Sequence, residues 1–183
     1  MTEQNQNNYE DLSTRTAALA LPEVLSAEVL IAVAIVMIPL LVSGPQLLVG
    51  SLVNMFLFLI AKSNLRQSLL FAFLPSLAAV MHGVLFGSFT IFLVYLWPFI
   101  WLGNVTLMLV SNYLAKRSLA MPIQFAVATI CKTALLFSGA FVLYHLHLIP
   151  VIFLTVMGVV QLITAGVGGV LAYVGIKSKV VKM

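Results

Sequence analysis

Charge is what this sequence has least of. Only 8% of its 183 residues are Asp, Glu, Lys or Arg, against about a quarter in a soluble domain. The carboxylates are Glu3, Glu10, Asp11, Glu23 and Glu28, so residues 29–183 carry none. That excludes paired-acid chemistry over most of the chain. No nucleophile–base pair and no Gly-rich loop leading into a lysine is present either, so no catalytic residue is assigned and no enzyme activity is expected. Cysteine is nearly absent. The single Cys131 excludes an intrachain disulfide framework and a multi-thiolate iron–sulfur cluster. His82, His145 and His147 fall at stretch ends without nearby carboxylates, a poor metal-ligand set. No cofactor and no metal are expected. The net charge is +4, but the nine Lys and Arg residues are scattered and form no basic patch, so nucleic acid is not an expected partner. Residues 1–23 lack the basic start and apolar core of a secretory signal. They read as a short, disordered cytoplasmic tail.

What the chain does have is apolar surface. It is 62% hydrophobic with mean hydropathy +1.15, too little polarity to cover a water-exposed globule and well suited to a bilayer. Six apolar stretches lie at about 24–43, 46–61, 68–84, 88–114, 119–143 and 149–176. Continuous apolar runs such as Val29–Val42 exclude the alternating pattern of a transmembrane barrel. The expectation is an all-α integral membrane bundle of six transmembrane helices over residues 24–176, followed by a basic cytoplasmic tail at 177–183. The fourth stretch is long and contains Pro98, so a break or re-entrant turn is expected near Gly87 or Pro98.

Basic residues orient the bundle. Lys62 and Arg66 follow the second stretch, Lys116 and Arg117 the fourth, and Lys177, Lys179 and Lys182 the sixth. The other connections have no Lys or Arg. The positive-inside rule then places both termini in the cytoplasm.

Lys132 stands out because it lies near mid-membrane depth, where a cation needs a partner, water or ligand. It is either the binding group for an anionic or carbonyl-bearing solute, or a lysine satisfied by Asn, Gln, Thr and backbone carbonyls. Trp97, Trp101 and Asn104 share a helical face by spacing. The two indoles suit either a pocket for a planar solute or an aromatic belt at the membrane surface. Asn104 lies deeper. Asn54 and Gln161 are the remaining mid-span amides, each readable as an interhelical tie or a substrate contact. Together Asn54, Trp97, Trp101, Asn104, Lys132 and Gln161 are the candidate substrate-binding residues. Ala165–Gly169 and Gly168–Ala172 are small-x-x-x-small pairs suited to close helix packing.

The segment Gly44-Pro45-Gln46-Leu47-Leu48-Val49-Gly50-Ser51-Leu52-Val53-Asn54 resembles the start of the second span in substrate-binding S components of energy-coupling factor transporters. Pro98-Phe99-Ile100-Trp101-Leu102-Gly103-Asn104 is similar to a Gly-Asn segment of some members. The resemblance covers about residues 24–176. It implies a prokaryotic plasma-membrane protein that binds a vitamin or related micronutrient from outside. It also implies partners: a transmembrane coupling subunit and cytoplasmic ATPases. Two features depart from the family. Ala27, Ala32 and Ala34 do not give the Ala-x-x-x-Ala spacing used to contact the coupling subunit, and the chain begins Met1-Thr2 where nickel- and cobalt-type relatives have Met-His. The leading expectation is therefore a micronutrient-importer binding subunit. A non-transport scaffold or assembly protein, or a small channel or carrier, is the alternative.

Overall fold

The structure, a computed structural model, describes residues 27–41, 45–62, 69–82 and 90–178. The amino-terminal tail, Gly44, Arg66, Gly87, Lys179 and Lys182 lie outside the described residues. All regular elements among the described residues are helical. In chain order they are α1 (Ala27–Leu41), α2 (Gln46–Ile60), α3 (Leu74–His82), α4 (Thr90–Lys116), α5 (Met121–His145) and α6 (Ile152–Lys177). Three of them, α4, α5 and α6, are long and apolar enough to cross a membrane. The others are shorter. At 1.5 Å per residue, the 15 residues of α2 reach about 22 Å.

Helix ends follow local chemistry. α4 stops in a Schellman turn, with Leu119 N–H on the Leu114 carbonyl at 3.4 Å and Ser118 N–H on that of Ala115 at 3.0 Å. α5 stops the same way, with Leu148 on Leu143 at 3.0 Å and His147 on Tyr144 at 2.9 Å. Ser118 (φ 56°) and His147 (φ 57°) take the left-handed position that usually holds glycine. Pro122 opens α5, where a missing N–H costs nothing.

The break or re-entrant turn expected near Gly87 or Pro98 does not fall at Pro98, and Gly87 lies outside the described residues. α4 runs unbroken from Thr90 to Lys116 with Pro98 inside it. The proline ring is exposed, and the next residue, Phe99, seats its ring on Gly139 of α5. That contact holds the two helices together across the position where one backbone hydrogen bond is lost. The irregularities lie elsewhere. Residues 72–73 form a turn just before α3. α6 widens into a π-helical turn at Val156–Val160, where Gly158 receives the Phe137 ring.

Two apolar clusters fill the interior. One gathers Ile35, Leu57, Phe58, Leu107, Ala128 and Ala165. The other gathers Leu96, Leu136, Ala140, Phe153 and Met157. Asn104, Lys132 and Gln161 fall between the two along α4, α5 and α6. Outward positions stay apolar, including Val94, Leu102, Ile130, Phe141, Val159 and Val170. α2 and α6 approach closely because both carry glycine at the crossing. Gly50 faces Thr164, and Gly168 faces Asn54 and the backbone of Ser51 and Met55.

Candidate functional site

Lys132 on α5 is 3% exposed. Its Nζ donates to Asn54 Oδ1 of α2 at 2.5 Å and to Asn104 Oδ1 of α4 at 2.8 Å. One long side chain thus ties three helices. Both amides are themselves oriented. Asn54 Nδ2 donates to the Gly50 carbonyl at 2.8 Å and to Thr164 Oγ1 of α6 at 3.4 Å. Thr164 in turn donates to the Gln161 carbonyl at 3.2 Å. Asn104 Nδ2 donates to the Ala72 carbonyl at 3.0 Å. Ala72 lies in the turn before α3, and Pro75 follows shortly after. A proline at that point removes a backbone donor and leaves upstream carbonyls for other partners.

With both amide nitrogens engaged elsewhere, both amide oxygens are held toward the lysine. An ammonium has three N–H donors, so two are directed at Asn54 and Asn104 and one remains. Uncharged dipoles solvate the cation but do not neutralise it. No carboxylate exists in residues 29–183 to do so. A buried, unneutralised cation is costly, which is why such residues generally face a ligand or an ion path.

Lys132 borders a cavity of about 80 Å³. Every helix contributes to its wall: Pro39 from α1, Gln46 and Asn54 from α2, Ser76 from α3, Ile100 and Asn104 from α4, Lys132 from α5, and Met157 and Gln161 from α6. The side chains of Gln46 and Gln161 make no hydrogen bond among the described residues. Val49, Val53 and Leu93 supply apolar wall. The π-helical turn of α6 ends immediately before Gln161. Such turns shift the facing of the residues that follow, and they recur at functional sites.

The structure therefore brings Asn54, Asn104, Lys132 and Gln161 to one cavity and leaves the tryptophans outside it. Trp97 Nε1 donates to Ser76 Oγ at 3.1 Å and its ring meets Phe73 at 4.8 Å between centroids. Trp101 is 40% exposed and touches the same Phe73 ring edge-on at 6.4 Å. Trp97 braces a cavity residue from behind, and Trp101 lies on the outer surface. Sequence reasoning did not single out Ser76, Gln46 or Thr164 as wall or bracing residues. Pro75 beside Ser76, and Gln46 one position past Pro45, were the available signals: polar side chains at breaks in apolar stretches.

A larger groove of about 450 Å³ runs between α5 and α6. Its polar side chains are limited to Thr129 and Tyr173, beside Phe125, Ile130, Leu162 and Val170. It offers no charge or amide to orient a polar solute, so the smaller cavity is the better candidate despite its size. No cluster of three or more His, Cys, Asp or Glu suited to a metal occurs among the described residues. Beyond the end of α2, Lys62 donates to Gln124 Oε1 at 2.6 Å, and burial lowers its pKa from the usual 10.5. No family model, curated protein or solved structure matches the chain.

Proposed function

We propose that this protein is a membrane-embedded solute-binding subunit of a micronutrient importer. It takes its solute from the extracellular side and relies on partner subunits for ATP-driven movement. The observation that carries the reading is Lys132, a buried cation without a carboxylate partner, aimed by two oriented amides at a cavity bordered by every helix. In this reading all six helices cross the plasma membrane of a prokaryote, with both termini in the cytoplasm. Lys62, Lys116, Arg117 and Lys177 then lie on the cytoplasmic side. The resemblance to S components of energy-coupling factor transporters supports a coupling subunit and cytoplasmic ATPases as partners. A bundle this small has little room for an alternating-access machine of its own, which also favours a subunit that depends on others.

A second reading draws on the same bonds. Lys132, Asn54 and Thr164 join α2, α5 and α6, as interhelical ties would in a non-transport scaffold. The cavity separates the two readings, because a scaffold has no use for one. Native mass spectrometry of the detergent-purified protein tests them. A small molecule that co-purifies with wild type and is lost from an inserted Lys132→Ala variant is the expected result. Retention by the variant would show that the solute is not held by Lys132, and no bound molecule in either argues for the scaffold.

A further inference from the structure

We infer that the cavity at Lys132 takes a short aliphatic monocarboxylate, an inference that rests on the solute-binding reading above. Three observations converge: charge, donor placement and size.

Lys132 is buried and residues 29–183 carry no acid. The two groups that hold it, Asn54 and Asn104, contribute only amide oxygens. A single anion there would hold the amine as the ammonium and be neutralised by it. A single anionic group in contact with Nζ neutralises it, and a dianion would leave a net buried charge of the opposite sign.

Donor placement specifies the anion. The third N–H of Lys132 and the amides of Gln46 and Gln161 border the same space. These are separate N–H donors, from α5, α2 and α6. A carboxylate against Nζ offers two oxygens with about four acceptor positions, while Gln46, eight residues and about 12 Å along α2 from the Asn54 that holds Nζ, lines the far end of the space. The rest of the wall is apolar, including Val53, Leu93 and Met157, apart from Ser76, whose hydroxyl donates to the Phe73 carbonyl and accepts from Trp97. It suits an alkyl tail.

Size sets the length. A water needs about 10–15 Å³ of such volume, so about 80 Å³ holds on the order of five to eight waters. Bonded atoms pack closer than waters, which extends the limit to roughly ten non-hydrogen atoms. A monocarboxylate of about three to six carbons meets that limit. A fused-ring vitamin of about twenty atoms does not, unless the helices separate.

The test is calorimetric titration of the full chain in lipid nanodiscs. Butyrate is the probe, butyramide its neutral match in shape, and 1-naphthoate the oversized anion. Saturable butyrate binding is expected, at least tenfold tighter than butyramide and tighter than 1-naphthoate. Lys132→Gln should weaken butyrate at least tenfold. Should that variant fail to fold, Gln161→Ala serves instead, at a half-buried wall position; a several-fold loss of butyrate affinity is expected, with Gly166→Ala unchanged. Equal binding of butyrate and butyramide, tighter binding of 1-naphthoate, or an unaffected Gln161→Ala would overturn the assignment. If a larger solute co-purifies and butyrate does not displace it, the short-carboxylate inference fails while the solute-binding reading stands. If no solute of any size binds, both fail.

Discussion

Gly168 lets α2 and α6 meet closely enough to build the site, and adding one methyl group there should show it. A Cβ at position 168 would stand 2.7 Å from Asn54 Cβ, 2.7 Å from the Ser51 carbonyl oxygen and 2.8 Å from the Met55 nitrogen. Ordinary contact between carbon atoms is about 3.5–4.0 Å, so the helices must separate by roughly 1 Å. Two of the three obstacles are backbone of α2 and cannot rotate away. Overpacking of this kind costs about 1–3 kcal/mol. Gly166 is the internal control, since a Cβ there meets nothing within 4 Å. Both substitutions gain the same helix propensity, roughly 0.5–1 kcal/mol, which cancels when the variants are compared. Gly168→Ala should therefore be less stable than Gly166→Ala by about 1–3 kcal/mol. At roughly 2–4 °C per kcal/mol for a chain of this size, the gap in Tm is roughly 2–12 °C. Thermal unfolding in a fixed detergent, followed by tryptophan fluorescence, measures it. The same separation should break the Asn54–Thr164 contact, already long at 3.4 Å, and weaken solute binding through Lys132. Indistinguishable melting of the two alanine variants would mean that α2 and α6 do not cross at Gly168.

Two further outcomes are expected. Trp97→Phe removes the hydrogen bond to Ser76 and should lower stability by about 1 kcal/mol, whereas Trp101→Phe, at an exposed position, should change it little; equal losses would place Trp101 in the interior instead. In a Cys131→Ala background, an impermeant maleimide applied to intact cells should label Leu146→Cys but neither Ser118→Cys nor Ser178→Cys. The opposite labelling pattern would reverse the orientation drawn from the basic residues.

Much of the architecture is legible before any coordinates. Low charge and long apolar runs select helices as the elements, because in hydrocarbon the backbone must bond within its own segment. The length of α4, α5 and α6 follows from the same runs. The singularity of Lys132 is also a sequence property, since it needs only depth and the list of acids. What the sequence leaves open is rotation. A helix apolar on every side has no polar face to say which way it turns, so Trp97 and Trp101, on the same helix as Asn104, could not be assigned to pocket or surface by spacing alone. Packing decides that. Phe99 against Gly139, and α2 against α6 at Gly50 and Gly168, set the rotations. Those rotations bring Asn54, Asn104, Lys132 and Gln161 to one cavity and turn Trp101 outward. Pro98 illustrates the same division: a missing N–H is written in the sequence, but whether the helix breaks there depends on the neighbours that hold it. The sequence by itself determined the helical class, the apolar surface and a lysine with no acid after residue 28. Only the tertiary structure decided what that cation faces, because close approach at glycines is a property of two helices together.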